Sequence, residues 1–245
     1  MSIGERMMPR VTARVAWSVH LFTATGAVLG FFALVQVVEK HPKAALLWLM
    51  AALIVDGLDG PLARKCQVKT LTPQVDGNVL DLVIDYVTCV VVPAMFIHQF
   101  KLLPNGLSMV GVSRIMFTAL VCFARHDLMQ VDNFFAGFPA VWNLVANTMF
   151  LVNTPRWMNF LIVLVLAGLT FSSVKFAHPM RVVANRRITL PVTIVWFGTM
   201  TVLTIVYPTS AAWAQAVLIL ALCYFAFLSI RRTMQDRPRV HALAV

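Results

Sequence analysis

Apolar runs long enough to cross a lipid bilayer follow one another along nearly the whole chain, separated by short polar joints. A helix rises 1.5 Å per residue, so roughly 18–20 apolar residues are needed to cross a hydrocarbon core of about 30 Å. Runs of that kind are read at residues 15–38, 43–63, 77–99, 107–124, 135–153, 157–174, 190–207 and 211–230. Arg114 interrupts the fourth of them, and Asn143 with Asn147 the fifth. With 60% hydrophobic and 12% charged residues among 245, the chain has too few polar side chains to cover a water-facing surface. The expectation is an all-α, polytopic integral membrane protein of about eight transmembrane helices.

No low-complexity tract or long linker divides the sequence, so residues 1–245 are read as a single transmembrane domain. Residues 1–14, with Arg6, Arg10 and Arg14 among Met7, Met8 and Val11, suit a short interfacial helix or a frayed tail. Residues 231–245 are read as a cytoplasmic tail. If both termini are cytoplasmic, fifteen of the twenty Lys and Arg residues fall on that side, as the positive-inside rule requires. The net charge of +10 resides at helix ends rather than in a stripe interleaved with aromatics. It therefore points to anionic lipid head groups and not to nucleic acid. The segment Lys175 to Arg187 carries four of these charges beside His178 and Pro179, where it faces lipid or an anionic substrate. Cys66, Cys89, Cys122 and Cys223 are scattered, without a CxxC pair or a His at ligand spacing, and read as packing residues.

Only ten acidic residues serve the chain, and five of them lie between Asp56 and Asp85, within apolar surroundings. Asp56 and Asp59 are i,i+3 at the end of one run, and Asp81 and Asp85 are i,i+4 at the start of the next. Each pair therefore shares a helix face. An ionised carboxylate in a bilayer interior costs about 2.5 kcal/mol or more, so such residues mark functional sites. Gly60 follows Asp56 by four residues, Ala63 follows Asp59 by four, and Gly77 precedes Asp81 by four, leaving space beside the acids for a ligand. Clustered carboxylates repel unless protons, basic partners or metals relieve them. All-oxygen donors suit hard cations, and two divalent ions such as Mn²⁺ or Mg²⁺ would neutralise four carboxylates and clamp a displacement at phosphorus. Arg64 is the basic residue placed to hold a phosphate oxygen. A carboxylate-lined transporter is the alternative class, but a transport path would continue across the membrane, and these acids gather at one end. A third reading, acids paired with arginines to lock helices together, adds little stability.

At these residues the sequence closely resembles the CDP-alcohol phosphotransferase family, whose signature is D-x2-D-G-x2-A-R followed by G-x3-D-x3-D. Asp56, Asp59, Gly60, Ala63, Arg64, Gly77, Asp81 and Asp85 supply every fixed position. The spacer between the halves is twelve residues, longer than the family's common one. That longer form is similar to the bacterial branch of the family that uses choline, as are the first span and Phe138 to Asn143. The resemblance implies a homodimeric enzyme of the bacterial inner membrane in which choline attacks CDP-diacylglycerol, giving phosphatidylcholine and CMP. It implies that Asp56, Asp59, Asp81 and Asp85 bind two divalent cations and that Asp85 is the base. Gly60, Ala63, Arg64 and Gly77 would bind CDP-diacylglycerol. Serine, inositol or glycerol phosphate remain alternative acceptors.

A quaternary ammonium offers no hydrogen-bond donor, so its recognition depends on aromatic faces. Tyr86 and Trp142, with Asn143 nearby, are the candidates put forward for choline. Trp17, Phe22 and Trp196 are further aromatic walls that the sequence does not separate from packing residues.

Overall fold

The computed structural model describes residues 12–125, 134–179, 185–209 and 211–242, with side chains to Gln235. Ten helices and one small sheet lie in these segments: α1 Ala13–Val38, α2 Pro42–Lys65, α3 Val68–Leu71, α4 Gly77–Asp85, α5 Val92–Gln99, α6 Ser108–Ala124, β1 Phe134–Ala136, α7 Trp142–Val152, α8 Arg156–Leu169, β2 Lys175–Ala177, α9 Arg186–Val206 and α10 Ala212–Ala242. Most of the N-terminal stretch read as an interfacial helix falls outside the described residues. At the other end α10 stays helical to Ala242, through the stretch read as a tail.

Among the described residues, five helices are long and apolar enough to cross a membrane: α1, α2, the continuous rod Gly77–Gln99, α9 and Ala212–Gln235. The other three expected runs coincide with apolar helices that are shorter. These are α6, α7 and α8, of 17, 11 and 14 residues, or about 26, 17 and 21 Å at 1.5 Å per residue. The shortening has a local cause. Phe134–Ala136 does not join α7 but pairs antiparallel with Lys175–Ala177, Phe135 lying opposite Phe176. Gly137 then turns with φ 89°, and a Cβ there would strike the carbonyl oxygens of Leu169 and Thr170, so only glycine fits. The Arg125 guanidinium donates to the Thr170 carbonyl at 3.0 Å and to the Ala136 carbonyl at 3.4 Å, satisfying backbone where α8 stops. The free edge of β2 is covered by α10, where Thr233 Oγ1 accepts from the Lys175 N–H and Ser229 Oγ from the Ala177 N–H.

The rod Gly77–Gln99 is the most enclosed of the long helices, with 44% of its apolar window buried against 28% for α1. Its middle, Tyr86–Val91, widens into a π-helical turn in which the Val92 N–H reaches the Val87 carbonyl. Pro93 follows at once; it has no N–H and its ring crowds the carbonyl four residues back. π turns of this kind occur often beside functional residues, and this one begins directly after Asp85.

α1 lies against this rod through glycines. A Cβ on Gly26 would sit 2.9 Å from Ile84 Cγ2, and one on Gly30 would sit 3.0 Å from Thr88 Cγ2. Without side chains the two backbones approach closely, as small residues allow in membrane helices. Gly30→Leu is therefore expected to cost about 1–3 kcal/mol by overpacking. Gly198→Leu, where nothing lies within 4 Å of the added Cβ, is the matched control. Thermal denaturation in detergent should separate the two, and equal midpoints would contradict the close approach.

Candidate active site

α2 carries two of the acids and ends beyond them with Arg64 and Lys65 in its last turn, where positive charge suits the helix dipole. Gln67 adopts φ 50° and reverses the chain; α3 and a turn follow before α4 begins. Asp76, the fifth acid of the group, is used as the cap of α4: its side chain accepts from the N–H groups of Asn78 at 2.9 Å and Val79 at 3.3 Å. The remaining four acids meet. Asp56, Asp59, Asp81 and Asp85 line one pocket between α1, α2 and α4, together with Thr23, Gly26, Ala52, Val55, Ile84 and Thr88.

Within this pocket Asp56, Asp81 and Asp85 each offer a carboxylate oxygen, and the three oxygens lie within 4.8 Å of one another. A single hard divalent ion bonds oxygen at about 2.0–2.6 Å, so it bridges oxygens at such separations. The donor set is all oxygen, comes from two helices and therefore fits a divalent cation. Asp59 is buried on the same wall but stands outside this tight group.

The other motif residues lie at the end of α2 and the start of α4, outside the lining of the carboxylate pocket. Gly60 and Ala63 are half-buried on α2, and Ala63 packs beside a small cluster of Ala16, Val19 and Val68. Arg64 is exposed at the end of α2, and Gly77 opens α4 facing His20, whose Cε1 would lie 3.5 Å from an added Cβ.

The aromatic candidates stand apart from this pocket wall. The Tyr86 hydroxyl donates to the Met116 carbonyl at 3.4 Å and its ring meets Phe123 edge-on, so it faces α6. Trp142 is fully buried in the main core, edge-to-face with Phe138 at 5.0 Å. Asn143 is buried as well, and its side-chain oxygen accepts from the Leu144 N–H. Trp196 packs edge-on against Phe225.

Sequence reasoning missed the α1 wall. Thr23 and Gly26 close the pocket opposite the rod; their one visible signal is small residues at i,i+3 and i,i+4 through Gly30, which says nothing about which helix they meet.

With four carboxylates on two adjoining membrane helices, the site can be compared with known proteins. The family described as CDP-alcohol phosphatidyltransferase matches residues 19–174, and the chain belongs to that family. It is a multi-pass membrane enzyme family, and the match spans the pocket and the helices around it.

Among curated relatives, a protein of Pseudomonas aeruginosa named phosphatidylcholine synthase is 40% identical over 236 residues, covering 96% of this chain and 99% of the relative. One of the same name from Mesorhizobium japonicum is 40% identical over 195 residues, covering 77% of this chain and 73% of the relative. A third, from Borreliella burgdorferi, is 30% identical over 234 residues, covering 95% of this chain and all of the relative.

Proposed function

We propose that this chain transfers the phosphatidyl group of CDP-diacylglycerol to choline, giving phosphatidylcholine and CMP. The observation that carries the reading is the convergence of Asp56, Asp81 and Asp85 oxygens within 4.8 Å at a family signature, in a chain whose relatives are named phosphatidylcholine synthase.

Asp56, Asp59, Asp81 and Asp85 are the residues that would hold divalent cations, two of them, Mn²⁺ or Mg²⁺. When bound, such ions supply positive charge for the diphosphate and for the leaving CMP. Asp85 takes the proton of the choline hydroxyl as that oxygen attacks the phosphorus carrying diacylglycerol. A positioned carboxylate is needed because an alcohol is a weak nucleophile until its proton is removed. The new O–P bond forms as the bond to the CMP oxygen breaks, and CMP leaves as the anion. Arg64, at the exposed end of α2, holds a phosphate oxygen from the aqueous side. Gly60, Ala63 and Gly77 leave room for the nucleotide.

The site lies at the end of α2 and the beginning of α4, and the distribution of Lys and Arg supports a cytoplasmic position for it in a bacterial inner membrane. CMP and choline are then handled beside water while the acyl chains stay in lipid. A homodimer completes the proposal, supported by family resemblance.

The deciding experiment is CMP release by purified, detergent-solubilised protein given CDP-diacylglycerol and Mn²⁺. The acceptors compared are choline, serine, inositol, glycerol 3-phosphate and none. Choline-dependent release that EDTA abolishes is the expected result. Release with another alcohol would reassign the acceptor, and ion or proton flux without CMP would replace the enzyme by a transporter.

A further inference from the structure

The long spacer between the two halves of the acid motif is not a slack loop. It folds into α3, whose Val68 packs with Ala16 and Val19 of α1 and which is closed at its end by Thr72, a residue with no exposed surface. His20 of α1, also buried, places Nε2 3.0 Å from Thr72 Oγ1. The Thr72 hydroxyl gives its own proton to the Val68 carbonyl at 2.9 Å. A hydroxyl has one proton, so its oxygen can only accept from the ring, and His20 Nε2 must carry the hydrogen. The adjoining Cε1–Nδ1 edge of the same imidazole faces Gly77, the first residue of α4, and Trp17 meets the ring edge-on. One side chain of α1 thus bonds Thr72 at one end of the turn and lies beside Gly77 at the other.

We infer that His20 is a positioning residue for the reaction: through its hydrogen bond to Thr72 it fixes the spacer, and with it the start of α4 and the register of Asp81 and Asp85 against Asp56. Thr72 is the first fixed point of the turn, its carbonyl accepting from Val75 at 3.2 Å. Asp76 then caps α4, and Asp81 and Asp85 follow one and two turns later. A shift of α4 along its axis moves both carboxylates together, while the acids of α2 stay in place. Misplacement of reacting groups by about 1 Å costs up to about a hundredfold in rate, so a tie at this point bears on turnover more than on substrate affinity. The inference rests on Asp81 and Asp85 being the carboxylates of the proposed transfer.

The test uses four single variants and one double variant of the full chain. His20→Asn is too short to reach Thr72, whereas His20→Gln carries its amide nitrogen about as far out as imidazole Nε2. Thr72→Val keeps the shape and removes the hydroxyl; Thr72→Ser keeps the hydroxyl. In the CMP-release assay, His20→Asn and Thr72→Val are expected to lower kcat about tenfold, the scale of one lost hydrogen bond. Their KM for CDP-diacylglycerol should stay within about twofold. His20→Gln and Thr72→Ser should stay within about threefold of wild type, and the double variant His20→Asn with Thr72→Val should be no slower than either single one. Amide hydrogen exchange over residues 68–80 should rise at least about tenfold in the two disruptive variants only. Wild-type kcat in His20→Asn, unchanged exchange, additive losses in the double variant, or equal losses in His20→Gln and Thr72→Ser would each overturn the inference. Absence of CMP release by the wild type with every alcohol would instead defeat the proposed reaction, and the exchange data would still report whether the tie holds the spacer.

Discussion

Asp85→Asn is expected to lower choline-dependent CMP release by about a thousandfold while leaving CDP-diacylglycerol bound. The amide has the size of the carboxylate, so the packing of α4 against α1 at Ile84 and Gly26 is not disturbed. What it removes, on the proposed mechanism, is the proton acceptor, and general-base assistance contributes about a hundred- to ten-thousandfold. It also weakens one of the three converging oxygens, which lifts the loss above the lower end of that range. On the proposed reading nucleotide affinity depends instead on Gly60, Arg64 and Gly77, which the substitution does not touch, and should change little. The measurement is kcat together with equilibrium binding of CDP-diacylglycerol to the purified variant. Activity within about tenfold of wild type would remove Asp85 as the base. Asp85→Glu is informative beside it: the base returns but is displaced by one methylene, so partial recovery is expected.

The acid cluster was legible because its residues are costly where they are. In a chain with few acids, carboxylates at i,i+3 and i,i+4 within apolar runs have one economical arrangement, with their faces turned to a common site. The long helices were legible for a similar reason, since about 20 apolar residues in sequence leave a helix little alternative to crossing the bilayer. What failed to show was whatever depends on contacts distant in sequence. Phe134–Ala136 reads as the start of an apolar run until Lys175–Ala177 is available to pair with it. The turn at Gly137 is dictated by the carbonyls of Leu169 and Thr170, thirty residues away in the chain, and no local pattern announces that. The spacer looked like a departure in length alone; its partner, His20, lies 52 residues earlier.

The aromatic residues show the same limit from the other side. Tyr86 is next to Asp85 in sequence, but adjacent helical positions point about 100° apart, and in the structure the ring turns to Met116 and Phe123 on α6. Trp142 and Trp196 fill the cores around them. Aromatic side chains serve packing and cation recognition equally well, so type and proximity in sequence do not separate the two uses. Carboxylates inside a membrane have far fewer structural uses, which is why the convergence of the acids could be read from the sequence, whereas aromatic residue type alone singled out no wall for an ammonium group.

Asp81→Asn should separate stability from function in opposite directions. With metal removed, three carboxylates whose oxygens lie within 4.8 Å repel one another wherever they are ionised. One such pair at about 5 Å costs about 3 kcal/mol at an effective dielectric of 20, and less where water enters. Replacing Asp81 by a neutral amide relieves part of that, and for a chain of this size each 1 kcal/mol moves the thermal midpoint by about 2–4 °C. The variant in EDTA is therefore expected to melt about 2–6 °C above the wild type in EDTA. Added Mn²⁺ reverses the order, because a ligand at a hundred times its Kd stabilises the protein that binds it by about 2.7 kcal/mol. Wild type should rise sharply with Mn²⁺, while Asp81→Asn stays nearly flat and releases no measurable CMP. Thermal denaturation of both proteins across a Mn²⁺ titration reads all three effects. A variant that melts lower in EDTA yet keeps the full Mn²⁺ response would make Asp81 a structural partner rather than a ligand, and would move the cation site toward Asp59. The crossing of the two curves is the result to look for, since sites that gather like charges for a ligand are unstable without it.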